Sequence, residues 1–342
     1  MDRLTIVEAS NLANRLRENV SKSIFGQEEL ILETLCCFLA GGHILITGAP
    51  GLAKTTLVRV FASHLGLKFG RIQYTPDLLP SDIIGSELLH VEQSSGRRYF
   101  EFSRGPIFVN LLLADEINRA TPRTQSAMLE AMQERRVTVG HDTHSLPEPF
   151  MVFATQNPFE SEGTFPLPEA QLDRFLMHSL VHYPDVDSEW KILKSHADNF
   201  LVGENTLLDH IDPIGTDVTL RIMNAVKSVV VDDPILEGIN HLVRATRPES
   251  ASMPEHLRSQ MWYGSGPRGG IALVSCAKAL ALLEGSERVR WAHVKRLAKP
   301  VLRHRIRSTA PSAKEGERAD RIIDEVLDLV ERTKTKSSRG LE

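Results

Sequence analysis

Apolar residues recur at helical spacing over residues 5–20, where Ile6, Leu12, Ala13, Leu16 and Val20 share one face. Ser23-Ile-Phe-Gly26-Gln27 interrupts that pattern. A second helix is predicted over 27–40, stopped by Gly41-Gly42. A short apolar strand follows at 43–47, then a glycine-bearing turn, then a helix over 54–65 closed by Gly66. Further strands are expected at 68–74, 106–114, 150–155 and 176–181, with helices over 122–134 and 169–175. Pro122 stands near the start of its helix, where a missing N–H is tolerated.

Two stretches break this alternation. Residues 87–92 and 98–102 alternate around Ser94-Ser-Gly96, a hairpin signal that reads as an insertion within 75–105. Residues 136–146 form a second hairpin signal with Gly140-His-Asp-Thr at its tip. After Tyr183-Pro-Asp185 the strand signal stops, and helices are predicted near 187–198, 217–229, 233–246, 269–284, 291–303 and 317–332. Alternating strands and helices followed by a helical run argue for an α/β domain and a second, helical one. The expected division is 1–184, a linker at 185–200, a helical domain over 201–333 and a polar tail at 334–342.

Composition changes this picture little. The chain has 342 residues, a length that suits about two domains. A net charge of −4 supplies no global attraction to nucleic acid. No window approaches the roughly 20 apolar residues of a membrane span, and the amphipathic start lacks the apolar core of a signal peptide. Cys36, Cys37 and Cys276 lack metal-ligand spacing and read as buried, reduced thiols of a cytoplasmic protein. His141 and His144 are too isolated for a metal site.

The candidate chemistry begins at Gly48-Ala49-Pro50-Gly51-Leu52-Ala53-Lys54-Thr55, with Thr56 beside it. A strand running into a glycine-bearing turn that ends in Lys-Thr at a helix start suits a phosphate-binding loop. Lys54 would reach the terminal phosphates and Thr55 would place its hydroxyl on Mg²⁺. Ala53 stands where the general pattern has glycine. If that position needs positive φ, alanine costs roughly 1 kcal/mol or more, unless Gly51 relieves the turn instead. Leu111-Leu-Leu-Ala-Asp115-Glu116 delivers carboxylates to the end of an apolar strand. Asp115 could hold hydrated Mg²⁺, and Glu116 could polarise an attacking water. Asn157, after the strand at 150–155, could orient that water without adding charge. Arg174 could neutralise transition-state charge, or simply pair with Asp173 or Glu169 on its own helix. Arg268, in Gly264-Ser-Gly-Pro-Arg268, could reach back to a nucleotide from the helical domain, or be an ordinary helix-start arginine.

Five segments together resemble the MoxR-type AAA+ ATPases: the loop Gly48–Thr55, Leu112-Leu-Ala-Asp-Glu-Ile-Asn-Arg119, Gln125-Ser-Ala-Met-Leu-Glu-Ala-Met-Gln-Glu134, Ala154-Thr-Gln-Asn-Pro158 and Leu167-Pro-Glu-Ala-Gln-Leu-Asp-Arg-Phe175. The resemblance runs from about Phe25 to Arg305, and Ala53 is usual in that family. It implies a five-stranded parallel sheet in the order 5-1-4-3-2 with a helix-2 insert and a pre-sensor-1 insert, then a small all-α lid. It implies ATP and Mg²⁺ as ligands, Gly26 beside the adenine, Asn157 as sensor 1, Arg174 as arginine finger and Arg268 as sensor 2. The segment around Arg268 differs from the family's more usual Gly-Ala-Ser-Pro-Arg. Arg119 and Arg123 are further candidates for contacts between subunits. The resemblance also implies a homo-oligomeric ring, usually a hexamer, remodelling or activating a protein client with a von Willebrand factor A domain. Competing readings are a chelatase-type ATPase subunit, a DNA-acting motor, for which Arg97-Arg98 would be the local feature, and a nucleotide-gated scaffold without turnover.

Overall fold

The computed structural model describes residues 3–92, 97–158, 163–198, 211–309 and 315–339. Helix α1 (Ile6–Ser21) starts on a capping box: Thr5 Oγ accepts from the Glu8 N–H, and the Glu8 carboxylate accepts from the Thr5 N–H. Then come α2 (Glu28–Leu39), β1 (Ile44–Gly48), α3 (Lys54–Leu65), β2 (Phe69–Gln73), a short α4 (Pro80–Ile84), β3 (Gly85–Val91), β4 (Arg98–Arg104) and β5 (Leu111–Asp115). Next are α5 (Pro122–Glu134), β6 (Arg136–Val139), β7 (Asp142–Ser145), β8 (Met151–Gln156), α6 (Glu169–Leu172) and β9 (Met177–Val181).

One parallel sheet, in the order β2-β5-β8-β1-β9, organises the first domain. Numbered among themselves, its five strands stand 5-1-4-3-2 from the β9 edge. Alternate side chains feed two cores, as the two-residue period of a strand requires. Ile44, Ile46, Leu111, Leu113 and Phe153 face α1, α2 and α3. Leu45, Leu112, Ala114, Val152 and Ala154 face α5 on the other side. The hairpins β3–β4 and β6–β7 stand apart from this sheet. The expected hairpin tip at 94–96 lies outside the described residues.

The second half comprises α7 (Val186–Asp198), α8 (Thr216–Ser228), α9 (Asp233–Ala245), α10 (Glu255–Arg258), β10 (Met261–Tyr263), α11 (Pro267–Leu283), α12 (Trp291–Leu302), β11 (Arg307–Ser308) and α13 (Glu315–Arg339). It joins the first core rather than standing apart. Ser10 Oγ and Asn14 Nδ2 both donate to the Leu283 carbonyl, tying α1 to the end of α11. Three consecutive buried residues clamp the lid to the sheet. Arg303 donates to the His178 carbonyl and to Asp320, while His304 and Arg305 engage the Phe175 carbonyl.

Several expectations need correction. The lid is not all-α: β10 and β11 pair antiparallel, too short to produce a strand period in sequence. The helix predicted near 187–198 is present as α7, inside the stretch expected as a linker, and its start is capped by Asp185 accepting from the Ser188 N–H. The tail expected from 334 continues α13 to Arg339, because no glycine or proline interrupts the run before Gly340. The strand expected at 106–114 begins only at Leu111. Asn110 clamps that start, accepting from the Lys68 N–H and donating to the Pro149 carbonyl.

Candidate nucleotide-binding cleft

Strands β1, β5 and β8 run parallel, so their C-terminal ends deliver the candidate residues to one edge of the sheet. There a cleft of about 390 Å³ is lined by Pro50, Gly51, Leu52, Ala53, Lys54, Thr55, Thr56, Arg71, Gln73, Asp115, Glu116 and Asn157. Gly48 and Ala49 lie beneath it. A side chain at Gly48 would collide with Val181 on the neighbouring strand, so glycine is a packing requirement there. The Lys54 ammonium donates to the Gly48 carbonyl at 2.7 Å. Half-burial pushes its pKa down, while Asp115 and Glu116 oppose the shift.

The loop's turn uses two left-handed residues, Gly51 at φ 82° and Ala53 at φ 54°. Gly51 therefore does not relieve Ala53, which carries a strain of about 1–2 kcal/mol as a non-glycine residue. Helix α3 consequently starts without a side-chain cap, and its free N–H groups remain available to an anion.

Both carboxylates are held in place. Thr155, almost fully buried, donates at 2.6 Å to Asp115 and accepts at 2.8 Å from the Glu116 N–H. Glu116 itself adopts a left-handed backbone, φ 58°. Arg71 donates to the second Asp115 oxygen at 2.7 Å. Gln73 and Arg119 both donate to Glu116 Oε2 at 2.9 Å. Sequence reasoning missed Arg71, Gln73 and Thr155. The signal was available for Gln73: in a sheet ordered 5-1-4-3-2 the second strand lies beside the third, and Gln73 is in register with Asp115.

Other candidates lie elsewhere. Gly26, at φ 71°, packs so tightly against Pro184 and Ser188 that a Cβ would overlap both. It lines a separate cavity of about 550 Å³ with Gln27, Leu180, His182 and Tyr183, next to the end of β9. Arg174 is exposed and donates to the Leu129 carbonyl; it pairs with neither Asp173 nor Glu169. Those carboxylates are taken by Arg305 and Arg268, and by Arg307, respectively. Arg268, 61% exposed, is thus held at Asp173 and not in the cleft. Arg119 is committed to Glu116 of its own chain, and Arg123 is exposed on α5. His144 stacks on Phe102 at 4.1 Å, and among the described residues no cluster of His, Cys, Asp or Glu suits a metal. The three cysteines are free and buried, and burial pushes their thiols up. Among the described residues no helix is long and apolar enough to cross a membrane.

Comparison with known proteins agrees with this architecture. The profile of the ATPase family associated with various cellular activities (AAA) matches residues 43–177, and that of the AAA lid domain matches 258–326. The chain is 39% identical over 312 residues to Chaperone MoxR1 of Mycobacterium tuberculosis, covering 91% of this chain and 80% of that one. It is 39% identical over 324 residues to YeaC of Bacillus subtilis, covering 93% and 94% respectively. A crystal structure from Cytophaga hutchinsonii, of a protein provisionally assigned as an ATPase, superposes with a TM-score of 0.84 at 38% identity. That match covers 94% of this chain and 95% of the other.

Proposed function

Because the chain belongs to the MoxR family of AAA+ ATPases, we propose that it binds ATP with Mg²⁺ in the cleft and hydrolyses it to drive remodelling of a protein client. The observation that carries this reading is the convergence of Lys54, Thr55, Asp115, Glu116 and Asn157 on one cleft. Lys54 leaves the Gly48 carbonyl for the terminal phosphates, which join the uncapped N–H groups of α3. Thr55 and Asp115 are hard oxygen donors of the kind Mg²⁺ prefers, so the donor set fits that ion. The ion would supply charge neutralisation at the phosphates. Asp115 must first release Arg71. Glu116 serves as general base once it turns from Gln73 and Arg119, and Asn157 orients the water. The base of the nucleotide extends past Val181 towards Gly26 and its cavity.

Arg174 does not line its own chain's cleft, so we assign it to a neighbouring subunit's nucleotide in a ring, with a hexamer as the expected size. Arg268 acts as sensor 2 by exchanging Asp173 for the nucleotide, which would couple lid position to phosphate state. A remodelling role is supported by hairpin β3–β4, which exposes Leu89, Val91 and Phe100 on one face and Leu88 and Tyr99 on the other. Exposed apolar side chains of this kind suit contact with a non-native or extended client. A client with a von Willebrand factor A domain, and a cytoplasmic site of action that fits three free thiols, complete the proposal.

Glu116→Gln tests the hydrolytic reading. The variant should bind ATP with near-normal affinity and turn over at least about 100-fold more slowly. Turnover at the wild-type rate would remove Glu116 from the mechanism.

A further inference from the structure

Helix α7 is inside out. Val186, Trp190, Leu193 and Ala197 fall at i, i+4, i+7 and i+11, one stripe of its surface. A surface helix normally turns such a stripe to the core. Here Val186, Trp190 and Leu193 are 82%, 67% and 64% exposed, while Ser188 packs inward against Gly26. Large apolar side chains exposed along one stripe of a helix call for a partner surface.

The same chain carries a matching surface. A groove of about 440 Å³ runs between α9 and α11, walled by Ile239, Val243, Ile271 and Val274. Ile271 is 67% exposed. A Cβ at Gly270 would stand 3.7 Å from Val243 in ordinary contact, so the absent side chain leaves the floor open. Arg244 and Arg247 line the rim, and the first turn of α7 is acidic, with Asp187 and Glu189 beside Val186 and Trp190. Apolar anchors at helical spacing, an apolar groove and opposite charges are the elements of helix-in-groove recognition.

We propose that α7 of one copy docks in the α9–α11 groove of a second copy, giving a head-to-tail contact between subunits. The contact rests on the ring reading above and deepens it. Two different patches that complement one another form a heterologous interface, which closes into a ring when the rotation permits. The groove is built on the first turns of α11, whose second residue is Arg268. Docking there therefore bears directly on the Arg268–Asp173 pair.

Trp190→Asp and Ile271→Asp test this, since both side chains are exposed and neither belongs to the folded core. Assembly is followed by sedimentation with Mg²⁺ and a non-hydrolysable ATP analogue, and folding by circular dichroism. Each variant alone should need at least about 30-fold more protein to assemble than wild type. Mixed together they should pair at wild-type concentrations and stop at two chains. The α7 of the Ile271→Asp chain then fills the intact groove of the Trp190→Asp chain, and both outer faces are defective. Wild-type assembly by both variants, or no pairing in the mixture while wild type assembles, overturns the docking. Wild type that stays monomeric with and without nucleotide overturns the ring reading as well.

Discussion

Replacing Thr155 by valine would remove one hydroxyl and keep the side-chain shape, so its effect isolates two hydrogen bonds. The hydroxyl donates to Asp115 at 2.6 Å and accepts from the Glu116 N–H at 2.8 Å. A hydrogen bond to a charged group is worth about 1.5–3 kcal/mol, and a buried N–H left without a partner costs about 1–3 kcal/mol. Glu116 also loses the contact that holds its left-handed backbone, a conformation costing about 1–2 kcal/mol. Part of this is recovered by water reaching the half-buried end of β5, which puts the expected destabilisation at about 2–4 kcal/mol. Urea denaturation measures it as a lower midpoint with unchanged slope. The same variant should lose at least about tenfold in kcat with a smaller change in KM, because Glu116 is displaced relative to bound substrate. Thr155→Ser should recover most of both. A Thr155→Val protein within about 0.5 kcal/mol of wild type and with normal kcat would show that Thr155 does not position the acidic pair.

Arg71→Ala removes a half-exposed ion pair with Asp115 of the kind worth about 0.2–1 kcal/mol. The Mg²⁺ concentration that half-saturates ATP binding should fall by up to about fivefold; an unchanged Mg²⁺ requirement would mean that Arg71 does not compete for Asp115. Glu33, buried beneath β9 and hydrogen-bonded to Ser179, has its pKa pushed from 4.5 up to about 7, chiefly by burial. Between those values the folded state holds a proton that the unfolded state has released, so the contribution of Glu33 to stability is fully present below about pH 4.5 and is lost as pH rises towards about 7. Over that window the loss is about 3 kcal/mol. Glu33→Gln should flatten this part of the pH–stability curve, and a decline of equal size in the variant would assign it to another group.

The centre of the sheet was legible because β1, β5 and β8 are apolar runs. Helix α3 begins at Lys54 and ends before Gly66, as the sequence predicts, because the phosphate loop and a left-handed Gly66 bound it. The carboxylates of Asp115 and Glu116 were legible as the polar end of a buried strand. What escaped depends on pairing. Gln73 meets Glu116, and Arg71 meets Asp115, only because β2 lies beside β5. Thr155 reads as one more β-branched strand residue until β8 is set against β5. The pairing of β10 with β11 joins segments more than 40 residues apart with too few residues to form a pattern. Ala53 could be flagged but not settled, since its φ is a property of the closed turn. The stripe on α7 has a periodic sequence that says nothing about which way the helix faces.

The division of the site between subunits is tested most directly by mixing two inactive proteins. Lys54→Ala lacks the phosphate ligand but keeps Arg174; Arg174→Ala keeps the cleft but lacks the arginine. Each alone should hydrolyse ATP at background rate. An equal mixture, with co-assembly verified by energy transfer between labelled chains, should recover about a quarter of the wild-type rate, the fraction of head-to-tail contacts that pair an intact cleft with an intact Arg174. A verified mixed assembly that remains as inactive as its parents would contradict a site completed by the neighbouring chain.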